Sequence, residues 1–288
     1  MTNYKFTPQL TADGSWTFFS PEFGETFHSH FGAQQEAEYK FVYPVQLLSK
    51  VESNQSVVCL LDICYGLGYN TASALAAIWK INPSCKVMQV GLELDPEVPK
   101  AAIAEGLLNS WPEPVPELLA TLATTHQLEK DKIHAQLLTG DARKAIQQLS
   151  NSGFQTDAIF LDPFSPPSCP QLWTVEFLSL VSSFLKPDGY LATYSCSAAV
   201  RTALLKAGLK IGSTAPVGRR SPGTVASFGE ENLPPLSEKE KEHLLTRAGI
   251  PYRDPSLSDS AEVILHRRQL EQQKSSLEPT SHWKKRWS

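Results

Sequence analysis

Apolar positions along this chain change period several times, and the order of those changes predicts its architecture. From Val57 to Ile63 the run VVCLLDI is almost continuously apolar, as expected of a strand buried on both faces. A glycine turn follows, then alanine and apolar positions at helical spacing over Thr71–Trp79. The alternation continues with strand Lys86–Glu93, helix Glu97–Leu107, strand His134–Leu138, helix Ala142–Leu149 and strand Asp157–Leu161. Leu172–Leu185 is apolar at helical intervals, and Pro187-Asp188-Gly189 reads as a turn into strand Tyr190–Ser195. Helix Ala198–Ala207 and strand Leu209–Thr214 follow, and Ala261–His266 reads as a seventh strand. Strand and helix in alternation predict an α/β fold, a mostly parallel Rossmann-like sheet covered by helices on both faces.

The flanks differ from this core. Residues 1–50 read as an N-terminal extension, with Asp13-Gly14 as a hairpin turn before the β-prone run Trp16–Phe19. The spacing of Ala37, Phe41, Val45 and Leu48 predicts a helix over Ala33–Leu48 that Pro44 is placed to kink or interrupt. Within a core spanning 51–267, the prolines of WPEPVP mark an insertion near 109–132, with a short helix around Pro116–Ala123. Residues 268–288 form a basic tail in which Arg268, Lys274, Lys284, Lys285 and Arg286 are set against Glu271 and Glu278. Trp283 and Trp287 are suited to stacking on bases, but a solvated terminus explains the tail more simply.

Composition narrows the setting. A net charge of -4 gives no general attraction to nucleic acid or anionic membrane, although a local basic patch is compatible with it. The first residues lack a basic start with an apolar run, and no apolar segment reaches membrane-spanning length. The five cysteines show neither a CxxC pair nor zinc-site spacing, so no metal is expected. Their odd number and apolar settings favour reduced thiols and a cytoplasmic protein. Cys64, beside the glycines, is better read as a small turn residue than as a nucleophile.

Four acidic positions near strand C-termini suggest one ligand crevice. The first turn reads Asp62-x-x-x-Gly66-x-Gly68-x-Asn70, without the complete GxGxxG of a dinucleotide site. A carboxylate just before the turn is a poor neighbour for a diphosphate but a good one for a cationic amino group. Glu93, 27 positions after Gly66, is placed to accept from ribose hydroxyls. Asp141, after Gly140, is placed to accept from an exocyclic amine of adenine. S-adenosyl-L-methionine, a phosphate-free nucleoside with an amino group and a sulfonium, fits this set better than NAD. The reading is therefore an S-adenosylmethionine-dependent methyltransferase.

Asp162 leads into the substrate side, in Asp162-Pro163-Phe164-Ser165-Pro166-Pro167. With an ordinary carboxyl pKa of about 4 it would orient an amine rather than deprotonate one. Phe164 is suited to stacking on a base, or to packing beneath the loop. Trp173 is placed to line the pocket, or to fill the core. Arg219 and Arg220 form the better local phosphate-binding pair, set against an ordinary solvated loop.

Taken in order, LTADGSWTFFSPEFGETFHSHFGAQQEAEYKF, DICYGLGYNT, GLELDP, LLTGDAR, FLDPFSPPSCPQLW, LKPDGYLATYSCSAAVRTALLKAGLKI and VGRRSP cover most of the chain. This set resembles the methyltransferase domain of the bacterial bifunctional enzyme that completes 5-methylaminomethyl-2-thiouridine in tRNA, and above all its stand-alone relatives. The resemblance implies a seven-stranded class I methyltransferase sheet with an added N-terminal region. Gly66, Gly68 and Asn70 would surround the donor, Glu93 would meet ribose and Asp141 adenine. Asp162 would face the methyl and the substrate amine, and GETFHS and GAQQE bring Glu25, His28, Ser29 and, more strongly, Glu36 to the crevice. The implied acceptor is the 5-aminomethyl group of wobble uridine 34 in tRNA. Cys64, the Tyr65-Gly66-Leu67 turn and Pro163 depart from the family's commoner residues. No fused flavin domain is expected after residue 266, so a separate enzyme would form the aminomethyl precursor. A small-amine methyltransferase and a non-catalytic RNA-binding protein on the same fold are the alternatives.

Overall fold

The computed structural model of the chain describes residues 6–218 and 221–288. The hairpin forms as the Asp13-Gly14 signal predicts, with β1 (Thr7–Leu10) antiparallel to β2 (Trp16–Ser20) and Gly14 at φ 84°. β3 (Glu25–Thr26) pairs with β2 to complete a three-stranded sheet. The hairpin turn then starts the first helix, α1 (Ala33–Glu36). Ser15 Oγ accepts from Ala33 N at 3.0 Å and Asp13 Oδ2 from Gln35 N at 3.0 Å, so two orphan donors of the helix end are satisfied. The chain continues as one π-helical turn, Ala37–Val42, and restarts as α2 (Leu47–Glu52) after Gln46 at φ 54°. The single helix expected over Ala33–Leu48 is thus broken around Pro44, which has no N–H to give the preceding turn. The wide turn buries Lys40, Phe41 and Val42 together.

The core follows in order: β4 (Val57–Ile63), α3 (Tyr69–Ile81), β5 (Lys86–Glu93), α4 (Glu97–Ala104), α5 (Val115–Thr125), β6 (Gln127–Lys130), β7 (Ile133–Thr139) and α6 (Ala142–Leu149). Next come β8 (Thr156–Leu161), α7 (Val175–Ser182), β9 (Leu185–Thr193), α8 (Ala198–Lys206), β10 (Lys210–Ser213) and β11 (Thr224–Ser227). Three helices close the chain, α9 (Glu238–Leu244), α10 (Ala261–Lys274) and α11 (Thr280–Trp287). The central sheet has the order β10-β11-β9-β8-β4-β5-β7-β6. β7, β5, β4, β8 and β9 run parallel, while β11 is antiparallel to both its neighbours and β6 is antiparallel to β7. Because side chains alternate along β4, Val58 and Leu60 join one apolar layer and Leu61 and Ile63 the other. The N-terminal extension packs into the first of these layers through Phe18, Ala37 and Phe41.

Four expectations change here. Ala261–His266 is helical, not a strand. Ser260 caps the helix by accepting from Val263 N, and Arg267 and Arg268 bond back to Asp259 Oδ2 and Ile250 O, each at 2.6 Å. A strand that the sequence reading did not find, TVAS in β11, lies antiparallel between β10 and β9 instead. Pro187-Asp188-Gly189 lies within β9 as a bulge, since pairing jumps from Thr156↔Leu185 to Ala158↔Tyr190. The inserted region forms the helix expected in it, α5, and adds an eighth strand, β6, where seven strands were expected. The tail is also folded. Trp283 stacks on His243 at 4.0 Å, Trp287 Nε1 donates to Glu242 Oε2 at 2.9 Å, and Arg286 pairs with Glu242 and Glu278. Its aromatic rings are thereby committed to α9.

Candidate active site

Chain direction across the sheet reverses between β4 and β8, and the crevice beyond their C-terminal ends is where such folds place ligands. β4 ends in Asp62-Ile63 and β5 in Glu93, and Asp162 follows β8 with its N–H donating to Ile63 O at 3.1 Å. A cavity of about 370 Å³ opens there, within the usual range for a small-molecule site. One wall is the turn and strand ends, including Cys64, Gly66, Glu93, Asp95 and Asp162. The other wall is the N-terminal extension, from Ser20 through Ser29 with Glu36.

The turn is built for close approach. Cys64, Gly66 and Gly68 take φ 65°, 55° and 85°, and Gly66 N donates to Glu93 Oε2 at 2.8 Å. A Cβ at Gly68 would stand 2.7 Å from Tyr65 Oη, so glycine is required there by space as well as by conformation. Glu93 Oε1 also accepts from Asp95 N at 2.9 Å. Asp62 is fully buried, with Oδ2 accepting from Thr71 Oγ1 at 2.7 Å and Oδ1 without a hydrogen-bond partner. Burial raises both carboxyls, Asp62 and Glu93, to about 7.

On the acceptor side, Asp162 Oδ2 accepts from Asn70 Nδ2 at 3.0 Å, and Asn70 Oδ1 is buried without a partner. Burial, then the charge of Glu36, pushes the Asp162 carboxyl well above the usual carboxylate range. That overturns the expectation of an ordinary, weakly basic carboxylate. Glu36 Oε2 accepts from Ser29 N at 2.9 Å. Burial lowers His28 to about 4, so its ring is neutral at physiological pH, stacked on Tyr69 at 4.9 Å. Burial also raises the Cys64 thiol well above its ordinary value, which removes it as a nucleophile.

The other expected residues divide. Phe164 lines the cavity, stacked on Phe23 at 4.3 Å and edge-on to Phe27 at 5.1 Å. Trp173 does not line it. The ring is fully buried in the second apolar layer, and Nε1 donates to Phe164 O at 2.9 Å, so it supports the loop from behind. Asp141 is outside the lining. It caps α6 through Arg143 N at 2.9 Å and pairs with the Arg143 guanidinium at 2.8 Å, which engages both its oxygens. The adenine contact expected of it rests on its place after β7 and on the resemblance. Arg219 and Arg220 lie outside the described residues. Sequence reasoning passed over Phe23, Phe27, Cys169 and Tyr194, all cavity-lining, because no spacing marks them as a set.

The lining contains Glu22, Glu25, Glu36, Glu93, Asp95 and Asp162 and, among the described residues, no lysine or arginine. Such a cavity fits a ligand with positive centres and no phosphate, and the orphaned Asp62 and Asn70 oxygens behind the turn add acceptors without a donor. S-adenosyl-L-methionine has that chemistry, with an ammonium, a sulfonium, two ribose hydroxyls and no phosphate. Fold and site together define an S-adenosyl-L-methionine-dependent methyltransferase on a doubly wound sheet. A family model described as S-adenosyl-L-methionine-dependent methyltransferase matches residues 99–228. The crystal structure of MnmC2 from Aquifex aeolicus is 36% identical with a TM-score of 0.81, covering 94% of this chain and 86% of that one. The chain belongs to the MnmC2 family.

Two further relatives frame its extent. An uncharacterised protein of Methanocaldococcus jannaschii is 30% identical, over 92% of this chain and 72% of that protein. The tRNA 5-methylaminomethyl-2-thiouridine biosynthesis bifunctional protein MnmC of Ralstonia nicotianae is 31% identical over 77% of this chain. The match spans 34% of that bifunctional protein's length.

Proposed function

We propose that this methyltransferase acts on tRNA, methylating the 5-aminomethyl group of the wobble uridine. The observation that carries this reading is the cavity shared by Glu36 and Asp162, which is acidic and flanked by the aromatic rings of Phe23, Phe27 and Phe164. An aminomethylated pyrimidine offers a cation for the carboxylates and a planar ring for the aromatics. The role of the bifunctional relatives in tRNA 5-methylaminomethyl-2-thiouridine biosynthesis favours tRNA over a free amine as the bearer of that group.

Bound S-adenosylmethionine supplies an electrophilic methyl group on a cationic sulfur. Asp62, Gly66 and Glu93 would hold the donor at its amino-acid and ribose ends. An aminomethyl group arrives mostly as ammonium and attacks only after losing a proton. Asp162, held by Asn70 and raised by burial and by Glu36, has a higher proton affinity than an ordinary carboxylate, which suits it to accept that proton. With that proton on Asp162, the amine lone pair would be free to attack the methyl group that the bound donor supplies. The N-terminal extension walls the cavity opposite the strand ends.

The test incubates purified chain and labelled donor with tRNA carrying 5-aminomethyluridine at position 34, and in parallel with small amines. Label on that uridine, as one added CH₂ by nucleoside mass analysis, is expected. Label on small amines but not on tRNA would overturn the substrate assignment. RNA binding without label on any acceptor would favour the non-catalytic alternative.

A further inference from the structure

The segment after Asp162 has unusual needs. Pro163, Pro166 and Pro167 leave it three backbone donors short, so it has little capacity to hold its own shape. Internal bonds are confined to its end, where Ser168 N and Cys169 N both donate to Ser165 O at 2.9 Å. Tyr194 donates from its hydroxyl to Pro163 O at 2.9 Å, and Trp173 donates to Phe164 O. Both of those anchors belong to the α/β core. A third set comes from β3. Glu25 Oε2 accepts from Ser165 N at 3.1 Å, and Oε1 accepts from the hydroxyls of Ser165 and of Ser168, the latter at 2.6 Å.

We propose that Glu25 is a positioning residue for methyl transfer, fixing the loop that presents Asp162 and Phe164 to the acceptor. Three donors of one loop converge on this carboxylate, and all but one lie on a single residue, Ser165. Phe23 and Phe27, two residues to either side of Glu25, meet the Phe164 ring. The extension is therefore part of the acceptor site, and Glu25 transmits its position to the loop. A carboxylate suits this task because it only accepts, with room for several donors. An amide in its place would set an N–H against one of them. Misplacement of a reacting group by about 1 Å costs roughly 10²-fold in rate, so a loosened loop lowers turnover before it lowers donor affinity.

This role adds to the proposed tRNA reaction, and the test separates the two. Glu25→Ala, Glu25→Gln, Ser168→Ala and the Glu25→Ala/Ser168→Ala pair are made in the full chain, with thermal melts to confirm folding. Glu25→Ala is expected to keep the dissociation constant for S-adenosylmethionine within about threefold and to lower kcat about 10²-fold. Glu25→Gln should be intermediate, and Ser168→Ala should add little in the Glu25→Ala background, because both act through one contact. Amide exchange at Ser165 should rise in Glu25→Ala, a readout that needs no acceptor. Wild-type kcat with wild-type exchange at Ser165 overturns the proposal, as does a matching loss of donor affinity. If wild-type chain fails to methylate tRNA, the exchange and donor-binding results still decide the role of Glu25.

Discussion

Asp62 and Glu93 are buried at a cost that the charge of a bound donor would offset. Each carboxyl ionises near 4 in an unfolded chain and near 7 in this fold, because burial penalises the charged form. Their contribution to stability is thus fully present below about pH 4 and is lost as pH rises through about 7. Thermal melts of donor-free protein should show the midpoint falling from pH 5 to pH 8 by this route. S-adenosylmethionine should bind more tightly at pH 8 than at pH 6, and by a wider margin than neutral-sulfur S-adenosylhomocysteine, as titration calorimetry would show. Equal pH dependence for the two ligands would mean that the sulfonium does not sense these carboxylates. At Asp162 the expectation is kinetic. Asp162→Asn keeps the size of the side chain but not its proton affinity, and should lower kcat about 10²–10⁴-fold with donor affinity little changed. A wild-type rate in single-turnover assays would exclude proton acceptance there.

At the scale of elements, the glycine turn and the α6 cap give separable outcomes. Gly68→Ala places a side chain at φ 85° and drives it into Tyr65, so a loss of about 1–2 kcal/mol or more is expected together with weaker donor binding. Arg143→Ala removes the partner of Asp254, whose side chain is wholly buried, and should cost about 3–5 kcal/mol in urea unfolding. These elements also show what the sequence made legible. β4 and β5 were found with their observed limits because parallel strands buried on both faces leave long apolar runs. β11 escaped because four small residues, TVAS, carry no period at all. Val263-Ile264-Leu265 imitated a strand through β-branched residues, whereas the Ser260 cap and the Arg267 and Arg268 anchors hold it as helix.

For the whole molecule, the limits of reading lie in contacts distant in sequence. Glu93 and Asp162 could be placed in one crevice, with Asp62 buried behind its turn, because strand ends of a doubly wound sheet converge. Trp283 looked available for stacking because nothing local reveals His243, forty positions earlier. Nothing local to Asp141 reveals that Arg143 joins it to Asp254, far along the chain. The docking of α11 on α9 predicts that Trp283→Ala will open the last helix to proteolysis while methyl transfer stays near wild type. A rate falling in parallel with cleavage would instead tie the C-terminal helix to the site.

β6 has a consequence beyond the fold. Without it, β7 would present a row of unsatisfied backbone groups at the border of the sheet, a template on which a second molecule adds its own strand. The short strand Gln127–Lys130 occupies that border, and Glu129 and Lys130 give the new rim charged, exposed side chains. The inserted segment therefore guards solubility, and shortening it should turn a dispersed protein into one that self-associates as its concentration rises.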